Sequence, residues 1–330
     1  MVEWIFFFNF AVKMVRVTRY TTADAPLWDD FVRVSRNGTF LFQRAYMDYH
    51  HDRFHDHSLL FHNEKGRVVA LLPCNEDGVT LHSHQGLTYG GFILAPGTHT
   101  YEVQQAFDAT MNYLRQQGFK EWIYKQMPSI YHSIPSQEDD YLLWKNGAEM
   151  VECNLSSTVD YGSMPSLKAE YCRRNALTRL ARQGARLDMT TDLGRFWPLL
   201  ETCLKERHGV KPVHTLTEMQ LLQHRFPDKI RCCTVQDTTG SILAGVIMYE
   251  AGQVAHAQYS TTTEAGRRIG AQDYLYLALI NHYKEQQSVR FFDFGISNED
   301  GGKVLNTSLN RYKEGFGARG VTYKKYRIML

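Results

Sequence analysis

Apolar and polar positions follow one plan twice along the chain. Residues 57–71, HSLLFHNEKGRVVAL, read as a strand, a turn at Gly66 and a second strand. Residues 230–248, IRCCTVQDTTGSILAGVIM, repeat that plan around Gly240. More strand-like sequence follows each hairpin, at 79–94 and at 253–261. A helix comes next. In TYEVQQAFDATMNYLRQQG, Val103, Phe107, Met111 and Leu114 fall on one face and Gly118 supplies a C-terminal stop. In AQDYLYLALINHYKEQQ, residues 274–280 are apolar all round, which predicts a helix covered on more than one side. Each helix leads to a strand, KEWIY at 120–124 and VRFFDFG at 289–295. The halves close on similar phrases, LLWKNGAEMVE at 142–152 and LNRYKEGFGARGVTY at 309–323, with Lys145 and Lys313 in matching places.

The order hairpin, strand, helix, strand, helix, strand thus recurs after about 170 residues, far too long a period for a solenoid. It predicts two similar α/β domains, over 15–160 and 166–330, joined near DYGSMPS at 160–166. Helices over 166–184 and 192–208 precede the second hairpin. A length of 330 residues agrees with two domains of roughly 100–200 residues each.

Composition narrows the function classes. With 37 basic and 35 acidic residues the chain does not read as a general DNA or RNA binder. The six cysteines form no CxxC pair, which fits reduced thiols in the cytoplasm better than a disulfide frame. The opening MVEWIFFFNFAVKM is apolar, but Asn9 interrupts it and Glu3 stands where a signal peptide carries positive charge. It is shorter than the about 20 apolar residues that span a bilayer. We expect translation to start at Met14, VRVTRY to form the first strand, and no segment to cross a membrane.

Four stretches carry candidate chemistry. The first is STTTEAGRRIGAQDYLYLAL, 260–279, where a strand ends, a loop holds Gly266 and Gly270, and a helix begins near Ala271. Backbone N–H groups at a helix start attract anions, and Arg267 and Arg268 add positive charge. The same loop is also a plain strand-to-helix turn. The second, LKAEYCRRNALTRLARQGAR at 167–186, is rich in cations that either meet phosphates or form a solvated helix face. The third is FFDFGISNEDGG, 291–302, with Asp293 at the end of a strand, where α/β sheets place ligands. Asp293 either accepts a proton from a nucleophile or caps the loop. On the next element Tyr312 can donate a proton and Lys313 can steady an oxyanion, or both can be ordinary packing and surface residues. The fourth is histidine. His55 with His57, and His82 with His84, share strand faces, yet no matching ligand set completes a metal site. His256 lies on the strand that feeds the 266–271 loop and suits base work.

AHAQYSTTTEAGRRIGAQDYL, FFDFGIS and RYKEGFGA together resemble the double-domain GNAT-type acyltransferases of the FemAB-like group, which are associated with bacterial surface polysaccharide synthesis. The likeness runs from about residue 15 to the end and is strongest in 253–320. It implies two tandem GNAT-like domains, each a mixed sheet flanked by helices. It also implies that strands 253–261 and 289–295 splay to admit an acyl thioester. Acetyl-CoA or another acyl-CoA would lay its pantetheine arm along Gln258, Tyr259 and Ser260. Its pyrophosphate would sit on Arg267, Arg268, Gly270 and Ala271. Asp293 or His256 would take a proton from the acceptor amine, Tyr312 would protonate the leaving thiolate, and Lys313 would stabilise the oxyanion. The first domain would shape the acceptor pocket, with Gln85, Tyr89 and Gly90 facing an amino sugar, nucleotide-linked in this reading. The phosphate loop departs from the family pattern, because Gln272 stands where a small residue is expected. That departure keeps open the FemAB-like alternative, an aminoacyl transferase that draws on charged tRNA and modifies a cell-wall precursor.

Overall fold

The structure, a computed structural model, describes residues 15–163 and 167–330, apart from the side chains of residues 207 and 208. The two candidate starts, Met1 and Met14, lie outside the described residues. The first half runs β1 (Arg16–Arg19), α1 (Ala25–Val34), α2 (Arg44–Met47), β2 (His55–Asp56), β3 (Leu59–His62), β4 (Val68–Leu72), β5 (Asn75–Asp77), β6 (Thr80–Ser83) and β7 (Ile93–Leu94). It continues with α3 (Thr100–Gln116), β8 (Glu121–Lys125), α4 (Glu138–Lys145) and β9 (Glu149–Asp160). The second half runs α5 (Tyr171–Arg182), β10 (Arg186–Asp188), α6 (Leu193–His208), α7 (Leu216–Arg225), β11 (Ile230–Gln236), β12 (Ile242–Ala251) and β13 (Val254–Thr262). It ends with α8 (Glu264–Ile269), α9 (Ala271–Gln286), β14 (Phe291–Ile296), β15 (Asn298–Glu299), β16 (Val304–Leu305), α10 (Thr307–Glu314) and β17 (Arg319–Met329).

One sheet of eleven strands carries both halves, in the order β10-β11-β12-β13-β14-β9-β17-β8-β6-β5-β2. The hairpin read from 57–71 is β3 and β4, and it belongs to a separate sheet ordered β1-β3-β4-β7. The stretch 79–94 divides between the two sheets, because the Gly90–Gly91 corner turns the chain away after β6. The last strand of each half is exchanged. β9 closes the first half yet lies antiparallel between β14 and β17, with Phe291 opposite Asp160 and Arg327 opposite Glu149. β17 closes the second half and pairs on its other edge with β8. The ladder therefore runs unbroken through the middle of the molecule, and side chains of both halves meet on one surface.

Burial follows the predicted faces. Val103, Phe107, Met111 and Leu114 of α3 pack into a core with β3, β4, β6 and β8. Helix α9 is buried almost all round, with Leu275, Leu277, Leu279 and Ile280 between the sheet and α5. A third core bridges the halves, where Phe40 and Tyr46 of the first meet Phe226 and Tyr249 of the second. Burying one such side chain is worth about 1.5–3 kcal/mol, so this interface holds the halves in a fixed relation.

Candidate active site

β13 and β14 are parallel and paired only at Val254–Phe291, Ala255–Phe292 and His256–Asp293. Beyond that last pair they part. β13 goes on along β12 to Thr262, with an irregularity that leaves Gln258 out of the register, while β14 turns toward β9. Into the gap opens a cavity of about 530 Å³. His256, Ala257, Gln258 and Ser260 line it from β13, and Phe294, Gly295 and Ile296 from β14. Gln272, Tyr276, Leu309, Tyr312 and Lys313 add the helical wall, and Lys125, Asn154, Tyr323, Lys324 and Lys325 the wall facing the first half.

At the point of parting sits Asp293, fully buried. Its Oδ1 accepts from Ser156 and from Thr158 (2.9 Å) on β9. Its Oδ2 accepts from Tyr323 (2.7 Å) on β17 and from His256 Nδ1 (2.8 Å) on β13. Burial alone raises a carboxyl pKa. Here the donors, His256 first among them, outweigh it and hold Asp293 below the usual carboxylate range. An ionised Asp293 only accepts, so Nδ1 of His256 carries the proton of that bond. Nε2 is then the basic nitrogen, and it has no protein partner among the described residues. With the ring in the cavity wall, the pair is a buried carboxylate that orients an imidazole.

Lys313, near the end of α10, is buried and donates to the carbonyl oxygens of Gly295 (2.8 Å) and Ile296 (2.7 Å). Burial lowers its pKa to about 8, against the opposing pull of Asp293. One ammonium hydrogen remains for the cavity. Lys145, its counterpart in the repeat, is exposed on α4. The glycines beside Lys313 serve packing: a Cβ at Gly315 would stand 2.9 Å from Glu170 Oε2, and one at Gly317 2.9 Å from the Leu167 carbonyl oxygen. Phe316 between them packs on Tyr276 and Phe294.

Other expectations are placed differently. Tyr312 lines the cavity, but its hydroxyl donates to Asp273 (2.9 Å), and Arg173 covers its ring at 4.3 Å while bonding the same carboxylate. Burial and that carboxylate push its pKa far above the normal phenol value, so it keeps its proton and is a poor acid for a thiolate. Arg267 is exposed on α8, and Arg268 is exposed and paired with Glu264; neither lines the cavity. Gly270 takes a positive φ of 76° between α8 and α9, and Ala271 is buried beneath it. Gln272 turns its side chain into the cavity wall, accepting from Thr262 (2.7 Å). Of the basic 167–186 stretch, Arg173 and Arg179 reach the start of α9, at Asp273 and at the Ile269 carbonyl oxygen. Ser260 lines the cavity, whereas the Tyr259 hydroxyl is bonded to His214 (2.7 Å) behind it.

On the first-half side, Tyr89 and Gly90 are packing residues, a correction to their reading as acceptor contacts. Tyr89 is buried, bonds Thr39 and packs on Tyr131 with ring centres 4.4 Å apart. A Cβ at Gly90 would lie 1.8 Å from the Ser83 carbonyl oxygen. Gln85 is exposed and lines a smaller cavity of about 340 Å³ with His82, His84, Lys125 and Lys325. His57 is held by Glu76 and Tyr113, and His84 stacks on His50. Among the described residues no group of three His, Cys, Asp or Glu side chains is placed to hold a metal ion. Sequence reasoning missed Ser156, Thr158, Tyr323, Lys125, Lys324 and Lys325. Their approach to the site depends on the strand exchange, for which no local signal exists.

Among the described residues no helix is long and apolar enough to cross a membrane. Residues 171–314 match the family model of an acetyltransferase (GNAT) domain. No curated protein matches the sequence. Among solved structures the chain is similar to FemX, with a TM-score of 0.67 at 11% identity over 96% of this chain and 97% of that one. It is also similar to L-PGS from Bacillus licheniformis, with a TM-score of 0.55 at 14% identity over 82% and 83% of the two chains. A tandem GNAT protein from the clavulanic acid biosynthesis pathway gives a TM-score of 0.51 at 12% identity over 96% and 98%. Residues 171–314 thus match an acetyltransferase (GNAT) domain, and the whole chain shares the fold of FemX and of the tandem GNAT protein.

Proposed function

We propose that the protein transfers an acyl group to the amine of an amino sugar, nucleotide-linked, in cytoplasmic steps of surface polysaccharide synthesis, with acyl-CoA as donor. In this reading 166–330 binds the donor and carries the chemistry, and 15–160 faces the acceptor. The observation that carries it is the His256–Asp293 pair at the point where β13 and β14 part. An amine attacks a thioester only as the free base. Nε2 of His256 would take the proton as the nitrogen bonds to the acyl carbon. Asp293, ionised beside it, would hold the ring and favour the imidazolium that forms. The thioester oxygen gains the negative charge, and the free hydrogen of Lys313 would steady it. As the carbon–sulfur bond breaks, the proton on Nε2 would pass to the departing thiolate. The unpaired edge of β13 from Ala257 to Ser260 suits the amides of a pantetheine arm, which bind as an added strand. Lys324 and Lys325 supply positive charge on the wall where a phosphorylated acceptor would enter.

A second reading, aminoacyl transfer from charged tRNA to a cell-wall precursor, is favoured by one observation. Arg267 and Arg268 are not in the cavity lining, and Gln272 occupies the wall at the start of α9. The seat for a CoA pyrophosphate is thus poorer than for the pantetheine arm. A thermal-shift titration with acetyl-CoA, desulfo-CoA and longer acyl-CoAs separates the two. Ligand at 100 times its Kd stabilises a fold by about 2.7 kcal/mol. Stabilisation that saturates supports the CoA reading. A flat titration, with transfer of labelled amino acid from charged tRNA, overturns it for the second.

A further inference from the structure

The hydrogen bonds around Asp293 do not end at Tyr323. Its hydroxyl oxygen lies 3.0 Å from that of Tyr131, a residue of the Ser129–Tyr131 turn in the first half. The single hydrogen of Tyr323 is given to Asp293, which as a carboxylate has none to offer. Tyr131 must therefore be the donor to Tyr323. The order is fixed: Tyr131 donates to Tyr323, Tyr323 to Asp293 Oδ2, and His256 Nδ1 to that same oxygen. Both tyrosines are buried, and burial together with the Asp293 charge raises their pKa values, so both remain donors throughout the working pH range.

The turn that carries Tyr131 is itself clamped to the second half. Gln253, next to the start of β13, donates to the carbonyl oxygens of Ile130 (3.0 Å) and His132 (2.6 Å). On its other side Tyr131 packs against Tyr89. A first-half side chain is thus held at both ends of the strand-to-site connection, and its one hydroxyl points along a chain that finishes at the imidazole.

We infer that Tyr131 and Tyr323 are positioning residues for the base: the first half of the chain sets how strongly Asp293 holds His256. The inference rests on the His256–Asp293 reading above. Each donor to a carboxylate takes up part of its charge, and donors in series reinforce one another. Removing the Tyr323 hydroxyl leaves more of that charge for the Nδ1–H bond. Removing the Tyr131 hydroxyl weakens Tyr323 as a donor and acts in the same direction, less strongly, and only through Tyr323.

The test needs no substrate. The Nδ1 proton of His256 is followed by proton–nitrogen NMR in the full chain and identified by its loss in His256→Ala. Tyr323→Phe should move this resonance downfield, Tyr131→Phe should move it the same way by less, and the double variant should match Tyr323→Phe alone. Asp293→Asn is the control for the underlying reading. If it leaves the resonance unchanged, the His256–Asp293 pair itself is wrong. If it moves the resonance but Tyr131→Phe does not, or if the two tyrosine effects add, the positioning role is overturned while the pair stands. Tyr131 lies in the Ser129–Tyr131 turn and not in a strand of the ladder, so Tyr131→Phe remains informative even if Tyr323→Phe fails to fold.

Discussion

Asn in place of Asp293 removes a charge and a hydrogen-bond acceptor while keeping the shape. The carboxylate accepts from Ser156 and Thr158 on one oxygen and from Tyr323 and His256 on the other. An amide has one acceptor oxygen, so its NH2 must face one of two pairs of donors. If it faces His256, two N–H groups oppose each other in a fully buried place. Hydrogen bonds to a charged group contribute about 1.5–3 kcal/mol, and removing one partner of a buried ionic pair costs about 3–5 kcal/mol. We expect Asp293→Asn to lose about 3–5 kcal/mol at pH 7. The pH dependence follows from the direction of the shift. The folded carboxyl titrates below its ordinary value of 3.8, because the donors outweigh the effect of burial. Its stabilisation is complete above the unfolded value and is lost as pH falls through the folded one. Urea midpoints of the two proteins should therefore be far apart at pH 7 and converge below about pH 4. A variant within about 1 kcal/mol of the parent at pH 7, or a gap that does not narrow on acidification, would refute the assignment of Asp293 as a buried ionised acceptor.

Changes at four further residues have expected outcomes. Lys313→Met should lower kcat by about 10²–10³, the usual loss for one oxyanion donor. Because burial lowers the Lys313 pKa to about 8, its charge is present below that pH and lost above it. The kcat/KM profile of the parent should therefore fall above about pH 8, and Lys313→Arg should remove that limb. Gly90→Ala places a Cβ 1.8 Å from the Ser83 carbonyl oxygen, so the loop must shift; a loss of about 3 kcal/mol or more in chemical denaturation is expected. Lys125→Met strands the carbonyl oxygens of His84, Gln85 and Leu87, at about 1–3 kcal/mol for each that water does not reach; a drop in melting temperature without a change in fold by circular dichroism checks it. Arg267→Ala should leave any CoA-induced thermal shift intact, since that exposed side chain is not in the cavity lining; a weakened shift would restore the phosphate role expected from sequence.

The candidate site residues of the second half were more legible in the sequence than the residues that support them. His256 and Asp293 were visible because each is a titratable residue on a strand that the apolar pattern picks out, and the parallel pairing puts them side by side. Lys313 was visible as a charge among glycines. Ser156 and Thr158 were not, since small polar residues on a strand look like any solvent-facing position. They meet Asp293 only because β9 is inserted beside β14. Tyr312 was found as a cavity residue but misjudged as a free acid, because Asp273 reaches it from a helix 39 residues earlier in the chain. Tyr89 and Gly90 were assigned to the acceptor side because they fall in the first half's counterpart of the donor loop. Nothing local says that the loop holding them folds inward.

That loop also explains why one half of a repeated fold holds the candidate site. Both halves set two parallel strands side by side, β13 with β14 and β6 with β8, and both pairs part at their ends. Parted strands leave backbone groups without partners, and these must be satisfied by something. In the first half the chain satisfies them itself. Gly90 donates its N–H to the Lys125 carbonyl oxygen and lies against Ser83, an approach that only glycine permits. Lys125 spends its ammonium on the carbonyl oxygens of His84, Gln85 and Leu87, leaving no hydrogen for a ligand. In the second half β13 turns from β14 with no loop laid between them, and the edge from Ala257 to Ser260 faces the cavity. There the open edge lines the cavity beside His256, whose ring is held by the buried Asp293. A cleft filled by a glycine corner in one copy and left open in the other is the asymmetry on which the proposed donor side in the second half rests.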